Sequence, residues 1–157
     1  MTEEKSKVTK IANFFIKLGR EQNREVTNKK LQKLLYYAQA WSVTLRNKTL
    51  FVDDIEAWVH GPALPKIYNL FSQYGREDLG KVVLASSLDI EGLSLEEIDL
   101  LKVVWNVYGK YTGNDLEVLS HSELPWQQAR QGLEPYESSK KVITIKSMKD
   151  YYGKKTQ

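Results

Sequence analysis

The chain has 157 residues, 41% apolar and 27% charged, with a formal net charge of +3 and no cysteine. That length suits one domain with a core that needs no staples. The missing cysteines exclude disulfide scaffolds, thiolate metal sites and cysteine nucleophiles, and His60 and His121 are too few for a three-imidazole centre.

The amino terminus, Met1 to Lys5, is acidic and polar with no apolar run behind it, so no secretory signal is expected. No stretch approaches the roughly 18 apolar residues of a membrane span. The expectation is a cytoplasmic protein with no membrane partner. The net charge hides a zoning: residues 1–33 sum to +5, residues 34–139 to −7 and residues 140–157 to +5.

In chain order, Val8, Ile11, Ala12, Phe15 and Leu18 fall on one face and predict a helix over 7–22. A second helix is expected over 28–46, capped by Thr27 or Asn28, with a wide stripe from Leu31 to Leu45. Lys29, Lys30 and Lys33 crowd its amino-terminal end, where the helix dipole disfavours cations. A partner or nearby carboxylates must compensate. Ile55, Ala57 and Val59 alternate with polar or aromatic residues, so strands are expected near 50–60, with a hairpin around Asp53-Asp54 that Gly61-Pro62 terminates. A third helix follows Pro65 and ends at Gly75, placed as its left-handed cap. Val82-Val83-Leu84 is an optional further strand.

Ser94-x-x-Glu97 is a capping box that opens a helix running to about Gly109. Thr112 to Asp115 opens a shorter one carrying Leu116 and Leu119, and Ser122 is the expected cap of another holding Pro125 and Trp126. Ile143 and Ile145 suggest a strand, and Ser147 to Tyr152 a last helical turn. The fold class is thus mainly α, a compact single-domain helical fold with a small β element.

Chemistry is poorly supported. Either histidine is a candidate general base, but no strained nucleophile turn accompanies it, and packing beside Trp58 or Trp126 is the simpler role. Asp53-Asp54-x-Glu56 and Asp89-x-Glu91 lack the spacing of a calcium loop, and Gly109 to Gly113 lacks a phosphate-loop spacing. No cofactor, metal or enzyme activity is expected. Four Trp, nine Tyr and four Phe are many for this length. Rings among lysines, as at Tyr36, Tyr37 and Trp41 or at Tyr151-Tyr152, suit base stacking, but such rings equally mark protein interfaces.

Three stretches carry a resemblance: Leu31 to Trp41 (LQKLLYYAQAW), Glu56 to Pro62 (EAWVHGP) and Leu119 to Trp126 (LSHSELPW), with Val104 to Tyr111 between them. Their order and spacing resemble the SocA-like antitoxin, or Panacea, domain, which also occurs in the phage-associated GepA protein. The resemblance implies a single helical domain over 7–152, with 1–6 and 153–157 as frayed ends. It further implies an antitoxin that neutralises a cognate protein toxin by direct binding. Delivery of the toxin to a Clp-type protease is the alternative, and a nucleic-acid-binding regulator a second, although nucleic acid is not the expected partner. The candidate contact residues are Tyr36, Tyr37, Trp58, His60, Tyr68, His121 and Trp126. Asp53, Asp54 and Glu56 are candidates for steering a basic toxin surface.

Overall fold

The computed structural model describes residues 6–156, and the expected frayed residues 1–5 and Gln157 lie outside them. The elements are α1 (Lys7–Gln22), α2 (Asn28–Leu45), β1 (Glu56–Trp58), β2 (Gly61–Ala63), α3 (Pro65–Phe71), α4 (Leu79–Val82), α5 (Leu95–Tyr108), α6 (Gly113–His121), α7 (Leu124–Ala129) and α8 (Ile145–Lys154), with 3-10 turns at 72–74 and 85–87. Among the described residues this is a mainly helical fold with one two-stranded antiparallel sheet. No helix there is long and apolar enough to cross a membrane.

Helix α2 is the axis of the fold. Fourteen of its 18 residues are buried, because α1, α3, α5, α6, α8 and β2 all pack against it. Its apolar residues join Phe15, Trp105, Leu116, Met148 and Tyr152 in one core. A helix buried on every side must also bury polar residues, and each of these needs a partner. Here the partners are loop backbones. Gln39 donates to the Phe51 carbonyl at 2.8 Å and accepts from Leu50 N at 2.7 Å. Gln32 accepts from Leu64 N at 2.8 Å and donates to the Asn28 side chain. The Ser42 hydroxyl donates to Lys48 O at 2.6 Å.

Local signals place the helix starts. Thr27 caps α2 by accepting from Lys30 N, and both expected capping boxes form, Ser94 with Glu97 and Thr112 with Asp115. Pro65 lies in the first turn of α3, and Gly75 takes φ +60° after the 3-10 turn that ends that segment.

The β element differs from the expectation. The reversal falls at Val59-His60, with Glu56 opposite Ala63 and Trp58 opposite Gly61. Asp53-Asp54 lies in the irregular approach to β1, and Gly61-Pro62 opens the return strand instead of closing the hairpin. On its other side β1 meets the chain again, with Ala57 N donating to Lys141 O and Ile143 N to Ile55 O, both at 2.8 Å. Val82 ends α4 and no strand forms at 82–84, because the Arg20 guanidinium claims the Gly80 and Val83 carbonyls that a sheet would need. Glu123, not Ser122, occupies the cap position of α7. Ile145 starts α8 behind the Thr144 cap, and α8 extends through Gly153 and Lys154, past the expected boundary.

Replacing Gln39 with Ala strands two buried backbone groups at once. Gln39→Ala is expected to lower unfolding stability by about 2–4 kcal/mol, measured by urea denaturation, whereas Gln39→Glu keeps the acceptor and loses the donor.

Candidate functional site

The expected contact residues divide into an interior pair and a surface group. Tyr36 and Tyr37 have no exposed surface, so they are corrected from contact residues to core. The Tyr37 hydroxyl donates to Glu123 Oε1 at 2.7 Å, and the Tyr152 hydroxyl donates to the same oxygen at 2.8 Å. Tyr152 has spent its proton there, so the Tyr36 hydroxyl, 2.9 Å away, must donate to it. Burial pushes the Glu123 carboxyl above the usual carboxylate range, against the pull of its two hydroxyl donors. Burial likewise raises all three phenols. Tyr37 stacks on Tyr108 with centroids 4.0 Å apart, and Trp41 donates its indole proton to the Tyr108 hydroxyl at 2.8 Å.

Trp58, His60, Tyr68, His121 and Trp126 do come together, around the hairpin. The Trp126 indole donates to Trp58 O at 2.8 Å, and His121 stacks on Trp126 at 3.9 Å with 18° between the rings. Trp58 meets Tyr68 edge to face at 5.1 Å. Its indole donates to Glu56 Oε1 at 2.9 Å. His60 sits at the reversal with 75% of its side chain exposed, its Nδ1 3.5 Å from Glu117 Oε2. Glu117 also pairs with Lys29. Burial opposes ionisation of Glu117, but Lys29 and His60 together hold it below the usual carboxylate range. Tyr68 is 40% exposed. The expected steering group is divided: Asp54 is exposed and Asp53 half-buried on the approach to β1, while Glu56 is committed to the Trp58 indole.

Two buried cations brace this face. Lys33 reaches from α2 to donate to Pro62 O at 3.1 Å. Gly61 has φ +106°, and a Cβ there would lie 2.6 Å from Lys33 Cε, so only glycine satisfies both backbone and space. Arg130 donates to Ala57 O at 2.8 Å and to Glu137 O at 2.6 Å, with its guanidinium 5.3 Å from the Trp126 ring. Arg130 and Glu123 carry no local sequence signal for these roles. Lys33 did, since a cation at that end of a helix needs an explanation. His121 contributes a buried Nε2 with no hydrogen-bond partner in the structure, and burial lowers its pKa. The lysines at the start of α2 each have partners within the fold. At the other expected basic stretch, Tyr151 is half-buried, with the Lys155 ammonium 5.0 Å from its ring.

Around the braced hairpin, exposed His60 and Tyr68 share one face with half-buried Trp58, His121 and Trp126. The family described as antitoxin SocA-like, Panacea domain, matches residues 31–127, more than half of the chain, and the chain belongs to that family. The match includes α2, the hairpin face and both capping boxes, while α1 and α8 flank it. No match was found among curated proteins or among solved structures.

Burial lowers the Lys33 pKa from 10.5 to about 7, with the Lys29 charge adding to the effect. The unfolded chain therefore binds more protons than the folded one between pH 7 and 10, and folding stability gains from this residue as pH rises through that window. Lys33→Met is expected to flatten the rise in stability between pH 7 and 9.5, read by urea unfolding at a series of pH values. An unchanged slope would contradict a dry environment for this amine.

Proposed function

We propose that the protein neutralises one cognate protein toxin by direct, stoichiometric binding, without chemistry of its own, through the hairpin face carrying Trp58, His60 and Tyr68. The observation that carries the reading is the coincidence of a SocA-like family match with an exposed imidazole on a braced turn and an exposed aromatic, Tyr68, packed beside it. Membership of this antitoxin family implies a toxin partner in general. Aromatic side chains held by neighbours lose little entropy on docking and commonly supply the strongest contacts of an interface. Asp53 and Asp54, set beside that face, add long-range attraction for a basic toxin surface and so act on the association rate.

The partner to test first is the protein encoded by the adjacent open reading frame. Co-expression is expected to relieve its toxicity at about one-to-one amounts, and no relief would overturn the antitoxin reading. Tyr68→Ala and His60→Ala alter exposed side chains, and each is expected to weaken toxin binding by about tenfold or more. Unchanged affinity in both would move the contact face elsewhere. Asp53→Asn with Asp54→Asn should slow association and reduce its salt dependence while leaving dissociation unchanged. Occlusion of the toxin predicts an unaltered toxin half-life; a half-life shortened only in cells with Clp protease would mean delivery instead.

A further inference from the structure

The three lysines at the start of α2 have unequal partners. Lys29 pairs with Glu117 and donates to Asn114, and Lys33 is enclosed beside the hairpin. Lys30 is buried, yet among the described residues its ammonium contacts no carboxylate. It donates to the carbonyls of Glu25 at 3.1 Å and Gly109 at 2.6 Å and lies 5.2 Å from the Trp105 ring. These two carbonyls belong to the chain before α2 and the chain before α6, so Lys30 ties together two walls of a cavity. That cavity measures about 360 Å³, within the roughly 300–1,000 Å³ range of small-molecule sites.

Arg24 and Lys110, both exposed, line the same cavity, and Glu25 is the one acid among the described residues that does so. Three cations against one carboxylate leave a local excess of two positive charges. No acidic residue occupies the first turn of α2 to offset it. Thr27 and Thr112 also line the space. In capping their helices both use a hydroxyl lone pair, which leaves each O–H proton free to donate. Burial and the neighbouring Arg24 charge lower the Lys30 pKa, against the pull of Glu25 and Asp78, so the charged ammonium is under-compensated by its surroundings. A bound anion would reverse that penalty.

We propose that this cavity, at the opposite end of α6 from His121, binds a compact polyphosphate anion through Arg24, Lys30 and Lys110, with the Thr27 and Thr112 hydroxyls as further donors. Phosphate suits the set better than carboxylate because one small group carries two or more charges and several acceptor oxygens. The Arg24 fork can take two of those oxygens together. The three cations gather round one solvent-open pocket rather than along a row, which favours a compact anion over an extended nucleic-acid strand.

The probe is inorganic pyrophosphate, titrated into the full chain by calorimetry and thermal unfolding at ionic strength matched with sodium chloride. One site per chain is expected, with a melting temperature that climbs as ligand exceeds its Kd. Arg24→Ala with Lys110→Ala changes only exposed side chains and should weaken binding by about tenfold or more. Absence of binding at matched ionic strength would overturn the proposal, as would undiminished binding in the double variant. So would binding of a single-stranded oligonucleotide with none of pyrophosphate, since that would make the cations part of a nucleic-acid track. Neutralisation of the toxin is a separate readout and decides none of these outcomes.

Discussion

The structure depends on one constraint, the burial of most of a helix that is not completely apolar. A helix enclosed on all sides can be built from leucine and alanine alone, but such a core specifies its surroundings weakly. Helix α2 instead carries Gln32, Lys33, Gln39, Ser42 and Tyr37 into the interior, and each reaches a particular loop or side chain. A buried polar group left unpaired costs more than a made hydrogen bond returns. Every one of these side chains therefore selects the loop position that satisfies it. The chain 48–51, the hairpin and the start of α7 are placed by α2 as much as by their own sequence.

The same logic links the core to the surface. Lys33 holds Pro62 from within, Arg130 holds Ala57 from the other side, and Trp126 holds the carbonyl of Trp58. Three donors, one from α2 and two from α7 and its carboxy-terminal cap, converge on the six residues Ala57 to Pro62. A short two-stranded hairpin has little stability of its own, yet this one holds His60 on a fixed support, with Tyr68 of α3 packed edge to face on Trp58. A contact surface held in this way loses little conformational entropy when a partner arrives. The first and second family blocks are therefore one device, the first supplying the peg and the second the turn that it holds.

Features encoded within four residues were legible in the sequence. The boxes at Ser94 and Thr112 and the Thr27 cap depend only on neighbours along the chain. The long periodic helices were also legible, since a stripe from Leu31 to Leu45 admits few alternatives. Features decided by distant residues were not. Asp53-Asp54 has the composition of a turn, but the reversal lies where Gly61 can adopt a positive φ against Lys33. Val82-Val83-Leu84 reads equally as strand or helix end, and Arg20 from α1 settles it. Tyr36 and Tyr37 looked like surface rings because their cover, Tyr152 on α8, is more than a hundred residues away. Five of the seven expected contact residues nevertheless meet around the hairpin.

Helix α8 makes the same point about where the domain ends. It lies beyond the matched residues 31–127, yet Tyr152 donates to Glu123 inside that region and orders the proton of Tyr36. Without Tyr152, the Glu123 carboxyl would keep one donor and the Tyr36 hydroxyl would lose its acceptor, in a site where burial already presses on the charge. The Thr144 cap and the pairing of Lys141 and Ile143 with β1 seat the approach to α8 against the hairpin. The hairpin and the carboxy-terminal helix are thus linked, through the bridge of Val142 to Glu56 and through the Tyr152 hydrogen bond to Glu123.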